Sequence, residues 1–280
     1  MKEGLYSVTV TYNPDLKNNI LQKQMEFLIL NNIHPIIVDN ASKNIEQLRD
    51  CVKEISNGIK VLTLLENYGI GRALNIGISE CLKNIDCEWI LTLDQDTYFY
   101  ANSFTELYKT MDSHASESIA IFGFNYERLR FNRKNFVNNL GKPTFSHFII
   151  TSGTLARRRV YKSIKYDESL FMYFVDNDFC IRALRSGYKI LICSEAKMIH
   201  EEGERLMKHG VEYFFMQPNR LFYVGRNSLL MFFRYKKVKP LAYLALIILE
   251  NVVAGVSIKA TLSFSIKGIF ASLFHKNLLE

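Results

Sequence analysis

Two aspartates, two positions apart, follow a short apolar segment of the chain. Asp94 and Asp96 come directly after residues 89–93, a run typical of a buried strand. Side chains two residues apart on a strand point the same way and lie roughly 6.5 Å apart. Their repulsion is relieved when a hard divalent cation carrying phosphate oxygens lies between them. A divalent cation site is therefore one interpretation, and a solvated turn after the strand is the other.

Two further side chains carry chemistry that suits such a site. Asp176 begins a predicted helix at residues 176–186, and a carboxylate facing a pocket is the simplest general base for a sugar hydroxyl. Asp178 has a purely structural alternative, because the helix dipole favours acids in the first turn. His200 follows a predicted strand and offers an imidazole ligand for the same cation, although a lone histidine is more often structural.

The elements that must position these residues alternate in the first half of the chain. Strands are predicted at residues 6–12, 36–38, 60–65 and 89–93, and helices at residues 15–30, 45–55 and 72–82. Such alternation predicts a parallel α/β sheet, whose ligand crevice lies beyond the carboxyl ends of its strands. Polar residues follow three of these strands, at 11–13, 39–40 and 94–96. We expect one pocket to collect them, although polar residues also cap strands that simply leave the core.

The second half of the chain is less regular. Strands are predicted at residues 119–124, 148–151 and 188–193, and helical segments at residues 155–161 and 176–186. The basic and polar residues at 127–142 predict a mobile loop, and residues 201–204 predict a loop after the last strand. Ser152 and Gly153 are typical of a turn.

A glycine-containing turn at residues 69–71 leads into a predicted helix. Leu74 stands where a dinucleotide fingerprint would have its third glycine, and the turn follows the third strand and not the first. A hydride-transfer enzyme is therefore disfavoured. The turn can still receive phosphate through the N–H groups of the helix N-terminus, with Arg72 adding positive charge.

Composition limits the class of protein. The 280 residues are 48% hydrophobic, which is enough for one large domain or for one domain with an appendage. Lysine and arginine outnumber the acids by 35 to 28, so the net charge of +7 favours anionic partners. The five cysteines show no Cys-x-x-Cys pair, and no secretory signal precedes the first strand. We therefore expect a cytoplasmic protein.

The C-terminal part of the chain is both basic and apolar. Residues 241–257 are apolar but contain Glu250 and Asn251, so a transmembrane helix of about 20 apolar residues is not predicted. The mixture predicts a helical hairpin that lies in a membrane surface. The alternative is a helical face packed on the domain core.

These motifs together resemble the family 2 glycosyltransferases, and within them the bacterial rhamnosyltransferase branch. The resemblance extends over residues 5–235, and the collinear order of the motifs is more specific than any one of them. The motifs are Val10-Thr11-Tyr12-Asn13-Pro14, Ile37-Val38-Asp39-Asn40-Ala41-Ser42, Glu66-Asn67-Tyr68-Gly69-Ile70-Gly71, Asn75-Ile76-Gly77, Leu93-Asp94-Gln95-Asp96, Ser152-Gly153, Val175-Asp176-Asn177-Asp178-Phe179-Cys180-Ile181-Arg182 and Ile199-His200.

The resemblance implies the fold and the organisation of the chain. The fold class is α/β, of the GT-A type, with a Rossmann-like mixed sheet flanked by helices and a C-terminal helical segment that associates with the membrane. Residues 1–235 would form the GT-A domain, in which residues 1–125 bind the nucleotide sugar and residues 126–235 bind the acceptor. Residues 236–280 would form the basic and apolar helical extension.

The resemblance also implies roles for particular residues. Asp94 and Asp96 would hold the ribose and the metal-bound diphosphate, Asp176 matches the catalytic base, and His200 matches a later metal ligand. The cofactor would be Mg²⁺ or Mn²⁺. The expected donor-binding residues are Thr11, Asn13, Asp39, Asn67, Arg72, Asp94 and Asp96, and the further candidates are Asp178, Arg220 and Arg226.

The expected activity is an inverting, metal-dependent sugar transfer. The donor would be a nucleoside diphosphate sugar, with L-rhamnose carried by dTDP as the expected case. The acceptor would be a polysaccharide or a lipid-linked glycan in surface glycan biosynthesis, at the inner face of the cell membrane. No nucleic acid is expected as a partner.

Other functions remain open from the residues alone. One is transfer of another hexose from a UDP-sugar. A second is nucleotidyl transfer, which also uses paired aspartates and a metal, but the residues after the first strand lack its glycine-rich basic loop. A third, non-enzymatic function is a basic module that binds membranes or nucleic acid, which would have no need of the acids.

Overall fold

The computed structural model describes residues 4–130, 133–136, 141–200, 204–208 and 210–273. The strands of the described residues are β1 Leu5–Thr11, β2 His34–Asp39, β3 Lys60–Thr63, β4 Trp89–Asp94, β5 Tyr98–Phe99, β6 Ile119–Arg130, β7 Arg133–Phe136, β8 Thr144–Ser146, β9 Thr154–Arg157, β10 Lys189–Ile199, β11 Glu204–Lys208 and β12 Val211–Phe215. The helices are α1 Ile20–Leu30, α2 Ile45–Ile55, α3 Ile70–Cys81, α4 Ser103–Ser113, α5 Arg158–Ser163, α6 Val175–Arg185, α7 Pro218–Tyr235, α8 Lys239–Ala254 and α9 Ile258–Leu273.

Contacts divide the described residues into two compact units. The first unit contains those within 1–129, 134–169 and 175–201, and the second contains those within 130–133, 170–174 and 202–280. The short segment at 170–174 therefore belongs to the second unit, although the chain on both sides of it belongs to the first.

A mixed sheet is the centre of the first unit. Its strand order is β3-β2-β1-β4-β9-β6-β10-β5, with β7 beside β6 and β8 beside β10. Strands β1 to β4 run parallel, β9 is antiparallel to both of its neighbours, and β10 is parallel to β6. Thr11 pairs with Asp39, and Val10 with Asp94, so three strands end together. The predicted mixed sheet flanked by helices is confirmed.

Helices α1 and α2 pack through apolar stripes at helical spacing. Leu21, Met25 and Leu28 of α1, with Leu48 and Val52 of α2, are buried in one core cluster with residues of the sheet. Burying each such side chain contributes about 1.5–3 kcal/mol to folding. These helices therefore share one apolar core with the sheet, at whose strand ends the polar residues lie.

Helix α1 begins later than the sequence predicts. The prediction placed its start at Asp15, but the helix starts at Ile20. The Asp15 carboxylate accepts the N–H of Lys17, and the side-chain oxygen of Asn18 accepts the N–H of Ile20. These local turns compete with the helix for the backbone donors, which explains the difference.

The prediction around residues 148–161 is wrong in two places. Residues 148–151 are not a strand, and the segment predicted to be helical begins with strand β9. The place of β9 between β4 and β6 explains this, because strand pairing on both sides overrides a weak local helical preference. Helix α5 then covers only the last part of that segment.

Part of the basic segment predicted to be a loop at residues 127–142 forms strands. Strand β6 continues to Arg130, and residues 133–136 form β7, which pairs with β6. Residues 131–132 and 137–140 of the predicted loop lie outside the described residues, as do residues 201–203 of the loop predicted after His200 and residues 274–280. The predicted helix at 176–186 is α6, one residue earlier.

The second unit contains the β11-β12 hairpin and helices α7, α8 and α9. Helices α7 and α9 approach each other at two glycines. A Cβ atom on Gly225 would lie 2.5 Å from the carbonyl oxygen of Ser265, and one on Gly268 would meet the carbonyl oxygen of Phe222. Only glycine permits backbones to come this close. Within the described residues, no helix is long and apolar enough to cross a membrane.

We expect Gly77→Val to destabilise the first unit. A Cβ atom on this α3 glycine would lie 2.4 Å from Val8 and 2.8 Å from Val38, and overpacking of this kind costs about 1–3 kcal/mol. Urea unfolding measures the loss. Gly58→Val is the control, because no atom lies closer than 3.4 Å to its added Cβ. Equal stability of the two variants would contradict the described contact of α3 with β1 and β2.

Candidate active site

Two carboxylates and an imidazole meet beyond the end of β4. Nδ1 of His200 lies 3.2 Å from Oδ1 of Asp96, and Nε2 lies 3.8 Å from Oδ2 of Asp94. One possible ligand atom from each residue lies within 4.8 Å of the others. Two residues from the turn after β4 and one from the end of β10 thus form a single cluster, although 104 positions separate Asp96 from His200.

The hydroxyl groups of Thr97 and Ser152 hydrogen-bond to this cluster. Oγ1 of Thr97 lies 3.1 Å from Nδ1 of His200 and shares a 2.6 Å hydrogen bond with Oγ of Ser152. Ser152 also accepts the backbone N–H of Asp94 at 3.0 Å. Gly153, with φ +79°, has no room for a side chain, because a Cβ there would lie 2.4 Å from the sulfur of Met198.

Two glutamines fix the backbone on which the acids stand. The buried amide of Gln24 on α1 donates to the carbonyl oxygens of Asp94 and Thr97, at 2.9 and 2.5 Å. Its oxygen accepts the hydroxyl of Thr9 at 3.0 Å. Gln95, between the two acids, accepts the N–H of Tyr12 at 2.8 Å. The turn is therefore tied to α1 and to the end of β1.

The electrostatics of the cluster favour a cation. The pKa of Asp94 is raised to about 6, mainly by burial; His200 beside it lowers this pKa, and the charge of Asp96 raises it. A raised pKa means that the ionised form of Asp94 is disfavoured by its surroundings. Two carboxylates in one small volume, one of them with a raised pKa, form an arrangement that a bound cation would stabilise.

The donor set fits a divalent metal ion. Oδ1 of Asp96 is buried and accepts no hydrogen bond from the described residues, although Nδ1 of His200 lies 3.2 Å from it. Two carboxylates and one imidazole leave further positions for the oxygens of a phosphorylated ligand. Carboxylate and phosphate oxygens suit Mg²⁺ and Mn²⁺. Asp94, Asp96 and His200 are therefore the residues that could hold such an ion.

The ends of β1 and β2 form a second polar group. Asp39 is fully buried; its carboxylate accepts the hydroxyl of Thr11 at 3.1 Å and the N–H of Ser42 at 2.9 Å. Asn13 is drawn to the same place, since its N–H donates to Ser42 and its side-chain oxygen accepts the N–H of Lys43. The structure thus brings Thr11, Asn13 and Asp39 together, as the sequence predicts.

Asn67 and Arg72 lie at the N-terminus of α3. Asn40 donates to Oδ1 of Asn67 at 2.8 Å and accepts the N–H of Tyr68 at 3.0 Å. The Arg72 guanidinium lies 4.0 Å over the Tyr68 ring, and its Nε is 3.9 Å from a carboxylate oxygen of Glu168. The positive charge is therefore held beside the helix N-terminus, where an anion is favoured.

The acids of α6 differ from each other in their surroundings. Asp176 is partly exposed and accepts the N–H of Asn177 at 2.8 Å. Asp178 is fully buried and accepts Nε of Arg182 at 2.7 Å. The contacts of Asp178 are those of a structural ion pair, whereas Asp176 presents its carboxylate at the first turn of the helix.

The two candidate arginines belong to the second unit. Arg220 lies in the first turn of α7 and is exposed. Arg226, two turns later, donates through Nε to Oδ1 of Asn227 at 2.9 Å. Their roles as diphosphate contacts stay predictions.

Sequence reasoning did not assign roles to four residues of the site. Ser152 stands in a motif that carries the family resemblance, so a signal for it exists. Gln95 separates the two acids, and the sequence indicates only that spacing and not its hydrogen bond to Tyr12. Gln24 and Thr97 have no signal in the sequence, because their partners are backbone atoms and hydroxyls that the fold alone brings near.

The sheet, the acids at the ends of its parallel strands and the cluster of Asp94, Asp96 and His200 together define a GT-A-like α/β protein. The model of the family described as Glycosyl transferase family 2 matches residues 8–165. The dTDP-rhamnosyl transferase RfbF of Shigella flexneri is 30% identical over 82% of this chain and 80% of its own length. The chain belongs to glycosyltransferase family 2, which confirms the predicted resemblance, and it is a glycosyltransferase.

Solved structures share the fold at low sequence identity. The mannosyltransferase PcManGT from Pyrobaculum calidifontis, in complex with GDP-Man and Mn²⁺, aligns over 99% of this chain and 88% of its own, with a TM-score of 0.60 and 12% identity. S. aureus TarS 1-349 in complex with UDP-GlcNAc aligns over 81% and 66%, with a TM-score of 0.53 and 18% identity. In another structure of S. aureus TarS, the aligned part is 40% of that chain.

We expect Thr97→Val to weaken binding of Mn²⁺ about 10- to 100-fold, as loss of a group that orients a metal ligand commonly does. The substitution keeps the side-chain shape but removes the hydroxyl between His200 and Ser152. Calorimetric titration of Mn²⁺ in the presence of a nucleoside diphosphate measures the change. Thr63→Val, on the exposed end of β3, is the matched control. Asp96→Ala gives the affinity for Mn²⁺ after one metal-coordinating side chain has been removed. Unchanged affinity in both Thr97→Val and Asp96→Ala would rule out a metal centre here.

Proposed function

We propose that this glycosyltransferase moves L-rhamnose from dTDP-rhamnose to a polysaccharide or lipid-linked acceptor in surface glycan biosynthesis, with inversion at the anomeric carbon. The cluster of Asp94, Asp96 and His200 at the carboxyl ends of the strands carries the proposal. The choice of rhamnose rests on the 30% identity to RfbF, which covers most of both chains. The dependence on Mg²⁺ or Mn²⁺ rests on the donor set of the cluster.

The donor side of the site would be built from the ends of β1, β2 and β4. Thr11, Asn13, Asp39 and Asn67 would surround the nucleoside, with Arg72 and the N-terminus of α3 near the diphosphate. Asp94 and Asp96 would hold the ribose and, with His200, the cation. That cation, when bound, neutralises charge on the departing nucleoside diphosphate. The tied backbone of the turn after β4 would hold these groups in place before the donor arrives, so that little reorganisation is needed.

Asp176 would act on the acceptor. Its carboxylate would take the proton of the acceptor hydroxyl while that oxygen forms a bond to the anomeric carbon. The bond from the anomeric carbon to the diphosphate oxygen breaks in the same step, and its electron pair leaves with the nucleoside diphosphate. A single in-line displacement of this kind inverts the configuration.

A screen of nucleotide sugars for thermal stabilisation, with and without Mn²⁺, tests class and donor together. A ligand that binds the folded state at 100 times its dissociation constant adds about 2.7 kcal/mol of stability. We expect dTDP-rhamnose with Mn²⁺ to raise the melting temperature most. A larger effect of a UDP-hexose would show that the donor is that sugar and not dTDP-rhamnose. Release of inorganic diphosphate from a nucleoside triphosphate would show that the enzyme is a nucleotidyltransferase.

We expect Asp176→Asn to abolish sugar transfer and to leave donor binding within about twofold of the wild type. The amide keeps the shape of the side chain but cannot take a proton at neutral pH. Release of dTDP in the presence of acceptor gives the rate, and calorimetry gives the affinity. The matched control is Asp15→Asn, on the exposed turn before α1. Retained turnover would exclude Asp176 as the base.

The surface of α8 and α9 supports the proposed place at a membrane. Helix α9 buries small residues (Thr261, Ser265, Gly268 and Ser272) and exposes large apolar ones (Ile258, Leu262, Ile266, Phe270 and Leu273). This arrangement is the reverse of a helix that stabilises a core in water. Small residues at a helix contact and large apolar residues outside are typical of helices packed in lipid.

The charge of the C-terminal helices also suits a membrane surface. Residues 236–273 contain five lysines (Lys236, Lys237, Lys239, Lys259 and Lys267) and one acid, Glu250. Basic residues beside exposed apolar ones suit a surface of anionic lipid. Since no described helix could cross a bilayer, we propose that this unit lies on the inner face of the cell membrane, where it would meet a lipid-linked acceptor.

We expect the protein to float with vesicles that contain phosphatidylglycerol, and less with vesicles of phosphatidylcholine alone. The double substitution Leu262→Glu and Phe270→Glu should abolish flotation, because it places charge on the exposed apolar face of α9. Leu65→Glu, at a residue of the first unit that is 95% exposed, should have no effect. A wild-type protein that does not float, or a dimer that the double substitution dissociates, would assign the face to protein association.

A further inference from the structure

The turn that leads into α6 has an unfavourable backbone. Tyr173 and Phe174 both lie in the left-handed region, with φ of 62° and 63°. Only glycine, and to a lesser extent asparagine and aspartate, adopts this region readily, so two successive aromatic residues in it need external support. Helix α6 starts at the next residue, Val175, and Asp176 follows.

That support comes from Asn227, in the middle of α7. Its side chain is fully buried. Nδ2 donates to the carbonyl oxygens of Met172 and Tyr173, at 2.7 and 3.1 Å. Oδ1 accepts Nε of Arg226 at 2.9 Å, which fixes the amide so that its two N–H groups face the turn. One side chain thus binds two successive carbonyls of the strained segment.

Aromatic contacts hold the two ends of the same turn within the second unit. Phe171 stacks on Tyr223 of α7, with ring centroids 4.8 Å apart, and Phe174 meets the edge of Tyr243 of α8 at 5.8 Å. Between these two aromatic contacts, Asn227 supplies two hydrogen bonds to the backbone carbonyls of residues 172 and 173.

We propose that Asn227 is a positioning residue for catalysis: it holds the left-handed turn and so sets where α6 begins and where the Asp176 carboxylate points. This inference rests on the proposed function, in which Asp176 is the base. Without the amide, two carbonyls lose a buried donor, and Tyr173 and Phe174 relax toward ordinary backbone angles. Because Val175 and Asp176 follow this turn directly, the change in backbone angles displaces the first residues of α6. A base displaced by about 1 Å can cost on the order of 100-fold in rate.

The test compares Asn227→Ala with a matched variant of the same unit. Asn251 of α8 is also fully buried, and its amide makes two hydrogen bonds, from the N–H of Met216 and to its carbonyl, at 3.0 and 2.8 Å. Asn251→Ala therefore removes a similar buried amide away from the turn. We expect both variants to melt at lower temperature, but only Asn227→Ala to lower kcat, by about 10- to 100-fold, with the dissociation constant of dTDP unchanged within about twofold.

A second substitution distinguishes positioning from stability. Tyr173→Gly removes the cost of the left-handed angle, because glycine adopts it freely. In the Asn227→Ala background it should restore kcat several-fold, whereas it should change the rate little by itself. Asn227→Ser, which keeps one donor, should give an intermediate kcat and serves if the alanine variant does not fold.

The outcomes separate this inference from the proposed function. Equal kcat losses in Asn227→Ala and Asn251→Ala, or no rescue by Tyr173→Gly, would overturn the positioning role while Asp176 stayed the base. Turnover retained by Asp176→Asn would overturn the proposed function itself. Normal kcat in Asn227→Ala, together with an inactive Asp176→Asn, would place the orientation of Asp176 in other contacts.

Discussion

Repulsion between two carboxylates is the constraint on which the site depends. Asp94 ends a buried strand and Asp96 follows in the turn, and burial raises the pKa of Asp94, so the surrounding protein disfavours the charge of Asp94. His200 beside the two acids offsets part of this effect, and other residues fix the backbone that carries the acids. Gln24 binds two carbonyls of the turn, and Ser152 binds the N–H of Asp94. The site therefore favours a cation, and the backbone that would position it is already held by hydrogen bonds.

The two units differ in how they are stabilised. The first has an ordinary apolar core between a mixed sheet and its helices, and a group of polar residues lies where its parallel strands end. The second has a close contact of α7 with α9 at Gly225 and Gly268, with large apolar residues left on the outside. A helix that buries serine and threonine gains little from the hydrophobic effect in water. The large apolar residues on the outside of α9 would gain more from contact with lipid.

Much of the first unit could be predicted from the sequence, and for identifiable reasons. Alternating strands and helices predict parallel pairing of the first strands. In a parallel sheet the carboxyl ends of the strands share one edge, where ligands bind, and this predicts that Thr11, Asp39 and Asp94 lie near one another. Strand β9 could not be predicted, because its pairing with β4 and β6 is a property of the assembled sheet. Nor could the left-handed Tyr173, since no local signal marks an aromatic residue held in that region by a distant asparagine. Backbone angles imposed by tertiary contacts are invisible to patterns of residue type.

The separation of the cluster along the chain has a consequence for its assembly during synthesis. Asp94 and Asp96 are made early, but the hydroxyl of Ser152 and the ring of His200 follow 56 and 104 residues after Asp96. His200 reaches the acids only when β10 has added itself beside β6. A divalent ion that requires all three side chains as ligands would therefore bind only after most of the sheet has assembled.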